Sequence, residues 1–233
     1  MAASSWNKGF TKETHPSVMK ISRTMRRKGI DNFKRWRDRM RHLGKIPASY
    51  SPFLPSGDFA EYIGVVLGDG NISEFPRAER IIISGNSKNK GFVRRYALLT
   101  RRLFRKRPTI SKVWNKNNIR ISLYQKEISK RLGIPAGNRQ NASIRVPKWI
   151  WDNERYVIRL LRGLFEAEGS LSIHQRTYTY NLQFSNRNSS LLQIVGRGLK
   201  TLGYHPEFRT TSTRLRKKHE VEKFLKQVRF RAY

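Results

Sequence analysis

The most regular pattern in the chain is an apolar segment that occurs twice and ends both times in an acid followed by glycine. The first copy runs from Asp58 to Gly70 and the second from Glu154 to Gly169. Each is long enough for several helical turns and contains no proline, which predicts a buried helix that stops at its glycine. The two acids, Asp69 and Glu168, lie 99 residues apart.

Short segments of alternating polar and apolar residues follow each predicted helix, and the same succession of elements occurs twice. The alternation is typical of strands that bury one face. Both halves have the predicted order α-β-β-α-β-β-α, which indicates an α+β fold of two pseudo-symmetric halves forming a saddle of antiparallel sheets. We predict the first repeat at 51–150 and the second at 151–233. The segments are strands at 71–73, 80–84 and 119–123 with helices from Asn89 and at 126–132, then strands at 170–173 and 178–185 with helices from Ser189 and at 221–228.

Residues 1–50 differ from the repeats because they hold thirteen Lys or Arg and only three acids. We predict a mostly helical basic extension, with one helix beginning near Thr14 and Pro16 and a second running from Asp31 to His42. Neither helix can bury much alone. We favour an extension that contacts DNA and becomes ordered on it, and a solvated charged tail is the alternative.

Small residues fall four apart in both apolar segments: Gly64 with Gly68, and Gly163 with Ala167. Positions four apart share one face of a helix, and small residues there let two backbones approach closely. Glycine inside a helix costs about 1 kcal/mol relative to alanine. A close contact between the two helices explains why this cost is tolerated.

Both acids lie at the predicted C-terminal ends of their helices. A carboxylate is unfavourable there, because the C-terminal end of a helix carries partial negative charge. If the two helices pack side by side and parallel, Asp69 and Glu168 arrive at the same place. Two carboxylates with the free carbonyls of the helix ends form an all-oxygen pocket, which suits Mg²⁺. We expect Gly70 and Gly169 to provide helix-ending conformations.

The composition requires a polyanionic partner. The 233 residues include 49 Lys and Arg against 16 Asp and Glu, a net charge of +33. This excess indicates nucleic acid and does not by itself decide between DNA and RNA. Cysteine is absent, which excludes thiolate chemistry, and no apolar run or signal-like N-terminus indicates a membrane.

The two motifs resemble those of the LAGLIDADG homing endonucleases, over about residues 58–233. The matching residues are Ile63-Gly64 and Gly68-Asp69-Gly70 in the first copy, and Leu161, Gly163-Leu164-Phe165 and Ala167-Glu168-Gly169 in the second. Two departures are Leu67, where the family often has an acid, and Arg162, where it often has a small residue. We expect Arg162 to point away from the helix contact.

The resemblance implies a monomeric enzyme that cuts both strands of double-stranded DNA across the minor groove and leaves short 3′ overhangs. Asp69 and Glu168 would bind the catalytic metals, and the backbone carbonyls of Gly68 and Ala167 would be further ligands. The metal would be Mg²⁺ or Mn²⁺, with Ca²⁺ as a non-catalytic substitute. Lys126 and Lys218 are candidates for steadying the transition-state charge, with simple phosphate contact as the alternative. Asn186 would position a water, and we predict Gly85 as the matching position in the first repeat.

Strand alternation separates a core face from a polar face that could enter the major groove. Leu182 and Phe184 share a parity and are predicted core. His174 has a competing interpretation as a catalytic base, and a solvated sheet surface is the alternative for the whole set. The candidate DNA contacts are Asn71, Ser73, Arg80, Ile82, Ser84, Arg120, Ser122, Ser172, His174, Thr177, Thr179, Asn181, Gln183 and Ser185.

Two further hypotheses stay open. The chain could be an RNA maturase that binds intron RNA, or a non-cleaving DNA-binding protein, on the same fold. It could also be a structural ribonucleoprotein component without catalysis. Retention of both motif acids favours the nuclease.

Overall fold

The structure is a computed structural model that describes residues 6–47, 49–114 and 117–233. It divides into two units, Met1–Tyr50 and Ser51–Tyr233. Residues 1–5 and Ala48 of the predicted extension lie outside the described residues. None of the described helices has the length and apolar character that crossing a bilayer requires.

The N-terminal unit contains two short basic helices, α1 (Pro16–Arg27) and α2 (Lys34–His42). The residue that caps α1 is His15, whose ring nitrogen accepts a hydrogen bond from the Ser17 amide at 3.3 Å. Helix α2 begins three residues later than predicted, because Asp31 forms a turn before it and binds the Arg37 guanidinium. Neither helix buries a residue, and large apolar side chains of this unit such as Ile21, Phe33 and Trp36 are exposed.

The larger unit has the predicted α-β-β-α-β-β-α order in both repeats, which confirms the fold class. A four-residue helix, α6 (Lys148–Trp151), joins them. The first repeat contains α3 (Gly57–Asp69), β1 (Gly70–Phe75), β2 (Ala78–Asn86), α4 (Lys90–Phe104), β3 (Thr109–Lys112), β4 (Asn118–Gln125) and α5 (Ile128–Leu132). The second contains α7 (Glu154–Glu168), β5 (Gly169–His174), β6 (Thr179–Ser185), α8 (Ser189–Thr201), β7 (Glu207–Arg209), β8 (Ser212–Leu215) and α9 (Lys218–Val228).

Each repeat folds into one antiparallel four-stranded sheet, with strand orders β1-β2-β4-β3 and β5-β6-β8-β7. One face of each sheet is apolar and buried. In the first sheet Ile72, Ile81 and Leu123 lie in one row across the strands, and all are at most 3% exposed. The helices cover these faces, so the opposite, polar face of each sheet is left for a partner.

Helices α3 and α7 pack against each other at backbone distance. A Cβ atom added at Gly64 would lie 2.3 Å from the Leu160 carbonyl oxygen, and one at Gly163 would lie 2.1 Å from the Glu61 carbonyl oxygen. Neither position can hold a side chain unless the backbones separate. Trp149 stacks on Phe59 of α3 at 5.4 Å and contacts Tyr156 of α7, so it packs between the two repeats.

Gly70 and Gly169 do not end their helices in the way we expected. Their φ angles are −89° and −80°, which any residue can adopt, so left-handed backbone is not the reason for glycine. A Cβ at Gly70 would lie 2.5 Å from the Val66 carbonyl oxygen, and one at Gly169 would lie 2.3 Å from the Phe165 carbonyl oxygen. Glycine is required because each chain turns tightly against its own helix as it enters the strand.

The expectation that Arg162 points away from the helix contact is wrong. Its side chain is 8% exposed, and its Nε lies 3.7 Å from a carboxylate oxygen of Glu61 on the opposite helix. Glu61 is fully buried and also binds Arg95 at 2.7 Å and Arg159 at 2.6 Å. Arg162 is retained inside because a buried carboxylate requires charged partners.

The helix contact predicts the effect of one added methyl group. Gly163→Ala should lower the free energy of unfolding by about 3 kcal/mol or more, because the new Cβ meets backbone that cannot rotate away. Gly57→Ala is the matched control, since its Cβ would meet no backbone and only the Arg159 side chain at 3.3 Å, which has to move by a few tenths of an ångström, and should change stability by no more than about 1 kcal/mol. Denaturant unfolding measures both, and equal effects of the two substitutions would contradict the assigned contact.

Candidate metal centre and nucleic-acid interface

The helix pair brings Asp69 and Glu168 together, because each is the last residue of its helix. A Cβ added at Gly68 would lie 2.4 Å from the Ala167 Cβ and 3.4 Å from the Glu168 Cγ, so the two helix ends are in contact. Among the residues that the structure describes, no cation lies within 4 Å of either carboxylate. Both acids are therefore available to a ligand.

Burial and mutual repulsion disfavour negative charge at this site. Burial raises the pKa of Asp69 to about 7, and the nearby Glu168 carboxylate contributes to the same shift. Burial also raises the pKa of Glu168. Two partly buried carboxylates that lack a counter-charge are stabilised by a bound cation, which would return both to the ionised form.

The donor atoms at the helix ends suit a hard divalent cation. Besides the two carboxylates, the last turns of α3 and α7 present carbonyl oxygens, including those of Gly68 and Ala167, that have no donor one turn further on. Within the described ranges, no cluster of three or more His, Cys, Asp or Glu could hold a metal alone. The remaining ligands must be water or phosphate oxygens, which is the coordination that Mg²⁺ commonly keeps in phosphate chemistry.

The polar face of the first sheet is built from three rows of side chains that lie opposite one another across the strands. Asn71, Ile82 and Ser122 form one row, Ser73 and Arg80 a second, and Ser84 and Arg120 a third. All seven predicted positions thus share one face, because directly opposite residues point the same way.

The polar face of the second sheet follows the same scheme. Ser172 lies opposite Asn181, and His174 lies opposite Thr179. Along β6 the amide of Asn181 donates to Gln183 at 3.3 Å, and that of Gln183 donates to Ser185 at 3.1 Å. These polar side chains form a continuous hydrogen-bonded row along β6, and one side of the row is open to solvent.

Thr177 does not belong to this strand alternation. It lies in a short 3₁₀ turn, Gln175–Thr177, and the following Tyr178 has a positive φ of 50°, so strand parity does not set its direction. Its hydroxyl nevertheless bonds the His174 ring nitrogen at 2.8 Å and the Thr179 hydroxyl at 2.9 Å. It therefore remains at the end of the polar face.

Comparison with known proteins agrees with this arrangement. The family model of a LAGLIDADG-like domain matches residues 155–229. The second repeat therefore contains a LAGLIDADG-like domain. No curated protein matches it significantly.

Solved structures with the LAGLIDADG fold match both repeats. A mesophilic variant of the homing endonuclease I-DmoI is 20% identical, with a TM-score of 0.53, and the match covers 74% of this chain and 94% of that one. I-DmoI in complex with DNA and Mn is 19% identical, with a TM-score of 0.52 over 76% and 98% of the two chains. The N-terminal LAGLIDADG domain of DUF199/WhiA is 18% identical, with a TM-score of 0.51 over 76% and 86%.

The structure does not bring Lys126 and Lys218 to the two motif acids, Asp69 and Glu168. Lys126 follows Gln125, whose partner Glu79 is four positions along β2 from the residue opposite Gly70, roughly 13 Å at about 3.3 Å per residue. The Lys218 ammonium lies 5.7 Å from the Tyr180 ring and 4.0 Å from Glu222, at the corresponding far end of the second sheet. Tyr180 shares the parity of the core residues Leu182 and Phe184, so Lys218 lies on the helix-covered side of the second sheet and not on its polar face.

Asn186 does lie beside the helix ends. It lines a cleft of about 460 Å³ together with Gly68 and Gly70, so it comes from the second repeat to the end of α3. Its side-chain oxygen accepts from the Asn188 amide at 2.8 Å, which fixes its orientation. The strand registers make Gly85 its counterpart, and a Cβ there would lie 2.8 Å from the Phe92 ring, so the two sites differ.

Several residues of the site escaped the sequence analysis. Thr109, Ser111 and Tyr124 lie in the cross-strand rows of the first polar face, and Arg214 lies opposite Gln183 in the second. Thr109, Ser111 and Arg214 lie on strands of four residues, where alternation gives a weak signal, and Tyr124 lies one residue beyond the predicted strand at 119–123. Arg139 and Arg231 bind the carbonyl oxygens of Gly70 and Gly169, at 2.5 and 2.9 Å, from irregular segments that no periodic pattern marks.

The raised pKa of Asp69 predicts how the metal-free protein responds to pH. The folded state binds the proton more tightly than the unfolded state, so stability is lost as pH rises towards and through 7. Asp69→Asn removes this loss and should raise the melting temperature at pH 8 by several degrees, since 1 kcal/mol corresponds to about 2–4 °C for a chain of this size. The difference in melting temperature between Asp69→Asn and wild type should shrink as pH falls from 7 towards 4.

Calorimetry in the presence of a chelator measures this effect. Asp152→Asn, which changes an exposed acid at the end of α6, is the matched control and should have little effect at either pH. An Asp69→Asn variant that is no more stable than wild type at pH 8 would contradict the assigned environment of this acid.

Proposed function

We propose that this protein is a monomeric, site-specific homing endonuclease that makes metal-dependent double-strand breaks in a long DNA target. The observation that carries the proposal is the pair of LAGLIDADG acids, which meet at the ends of tightly packed helices and have no cation partner among the described residues. In a chain with 49 basic residues, leaving these two acids unpaired requires a reason. A divalent cation bound over the DNA backbone supplies it.

The chemistry follows from what the residues can hold. Asp69 and Glu168, with the Gly68 and Ala167 carbonyls, would bind Mg²⁺ or Mn²⁺, which supplies an activated water and stabilises the leaving oxygen of a phosphodiester. Ca²⁺ would occupy the same ligands as a non-catalytic substitute. Asn186 would orient the attacking water at the first helix end, and each acid would serve one strand.

Recognition of the target would use the polar faces of the two sheets. Their Asn, Gln, Arg and Ser side chains are the types that distinguish base pairs in the major groove. Lys126 and Lys218, at the far ends of the two sheets, would contact phosphates. The similarity to I-DmoI, whose structure was solved in complex with DNA and Mn, supports DNA as the partner of these faces.

The alternatives make different use of the same fold. An RNA maturase that binds intron RNA, or a DNA-binding protein without nuclease activity, has no need of two unpaired acids at the helix junction. The likeness to a DUF199/WhiA domain extends only to the fold at 18% identity. Direct tests of cleavage and of RNA binding therefore separate the three hypotheses.

We predict that Asp69→Asn and Glu168→Gln each abolish double-strand cleavage while retaining DNA affinity. The loss should exceed the roughly 10–100-fold effect of removing an outer-shell partner of a metal. Cleavage of a randomised duplex library by the wild type in Mg²⁺ would identify the target, and the selected duplex would then serve for rates and binding in Ca²⁺.

Asp152→Asn is the control for this experiment and should cut like wild type. Full cleavage by either motif variant would exclude the metal assignment. Failure of the wild type to cut any duplex, with tight binding of intron RNA, would favour the maturase.

The basic extension predicts a separate effect on affinity. Deletion of residues 1–50 removes a net charge of +10 and should weaken DNA binding more than it lowers turnover at saturating DNA. The dependence of the dissociation constant on salt should also become less steep. Fluorescence anisotropy at several salt concentrations measures both.

Replacing Arg26, Arg27 and Lys28 by Gln in the full-length chain keeps the extension and removes part of its charge, so it should give an intermediate effect. An unchanged dissociation constant after deletion would mean that the extension does not contact DNA.

A further inference from the structure

Two arginines hold the backbone directly after the two motif acids. The Arg139 Nη2 donates to the Val66 carbonyl oxygen at 2.9 Å and to the Gly70 carbonyl oxygen at 2.5 Å. The Arg231 Nη2 donates to the Gly169 carbonyl oxygen at 2.9 Å. Each guanidinium therefore fixes the turn from a motif helix into the strand that follows it.

The segments that carry these arginines are equivalent in the two repeats. Arg139 lies in the segment after α5, and Arg231 lies in the segment after α9. The first segment crosses to the start of α8, where the Asn188 amide donates to the carbonyl oxygens of Arg139 and Ala142 at 2.7 and 2.8 Å.

The second segment makes the reciprocal crossing. Tyr233 packs against Gly91 at the start of α4, where an added Cβ would lie 2.5 Å from the Tyr233 Cβ. The Arg231 amide donates to Glu166 of α7 at 2.8 Å. Each repeat thus sends its final segment to the second helix of the other repeat and places an arginine beside its own motif acid.

The electrostatics of a helix end explain why arginine is suited to this position. The last carbonyls of a helix carry partial negative charge, and a carboxylate there adds to it. Arginine near a helix C-terminus offsets this charge by binding the carbonyl oxygens. Neither arginine lies within 4 Å of a motif carboxylate, so the acids remain free for a cation.

Arg139 has a further donor in the cleft that it shares with Gly68 and Asn186. Its Nη1 is buried and has no hydrogen-bond partner in the described chain. Arg231 is exposed by comparison. The first repeat therefore depends on its arginine more than the second repeat does.

We propose that Arg139 and Arg231 are positioning residues for Asp69 and Glu168, each acting on one acid through the glycine that follows it. The consequence for cleavage rests on the proposed endonuclease function, whereas the consequence for the backbone does not. The effect on the backbone and the effect on cleavage can therefore be tested separately.

Hydrogen–deuterium exchange on the metal-free protein tests the backbone role. Arg139→Gln should speed exchange in a peptide covering residues 66–71 and leave a peptide covering 165–170 unchanged, and Arg231→Gln should do the reverse. Arg145→Gln and Arg229→Gln are matched controls, since they remove the same charge from the same segments at exposed positions. Neither control should change the exchange rate of either peptide.

Strand-resolved cleavage tests the functional role. On a duplex labelled differently on its two strands, at saturating protein and Mg²⁺, Arg139→Gln should slow cleavage of one strand by about 10–100-fold, as loss of an outer-shell partner does. Arg231→Gln should slow the other strand less strongly, and nicked DNA should accumulate in both cases. Arg139→Lys should recover part of the rate, because lysine can bind one carbonyl without the planar fork of arginine.

Hydrogen–deuterium exchange and strand-resolved cleavage together decide whether the proposal holds. Local loosening together with strand-selective slowing supports the proposal. Exchange and strand rates equal to those of the control variants would overturn it, as would equal slowing of both strands, which would indicate general destabilisation. If the wild type cuts no duplex, the endonuclease proposal fails, and the exchange data still decide whether the arginines fix the two turns.

Discussion

The backbone contact between α3 and α7 is the constraint on which the rest of the structure depends. Gly64 and Gly163 allow each helix to touch the main chain of the other, so the helices cannot slide or separate without losing that contact. Because both helices end at equivalent points, the contact also sets where their last residues lie. The two sheets start from those residues, and their polar faces are fixed by the same junction.

The charges near this junction fall into two classes with different partners. Glu61 and Glu166 are both buried. Arginines bind Glu61, and the Arg231 amide of the C-terminal segment donates a hydrogen bond to Glu166. Asp69 lies eight residues after Glu61, and Glu168 lies two residues after Glu166. At these helix ends the nearby arginines bind backbone carbonyls instead. The first class holds the repeats together, and the second is left available for a cation, which is consistent with separate structural and catalytic roles.

The sequence was sufficient to predict the parts of the fold that follow a period. Small residues four apart predicted the helix contact, and strand parity predicted the shared polar faces. Arg162 could not be placed correctly, because its partner Glu61 is on a helix about 100 positions away in the sequence. Lys126 and Lys218 were proposed from their position at the end of a strand, yet the register puts that end of the sheet away from the acids. Arg139 and Arg231 lie in irregular segments whose paths depend on tertiary contacts alone.

The most direct test of the account is the location of metal ions in a crystal of the full-length protein with its DNA target and Mn²⁺. Anomalous scattering would locate the ions independently of the refined coordinates. We expect peaks within bonding distance, about 2.0–2.3 Å, of the Asp69 and Glu168 carboxylates and of backbone phosphates, as for divalent cations of this size. Carboxylates turned away from the DNA, with no anomalous peak beside them, would contradict the central claim.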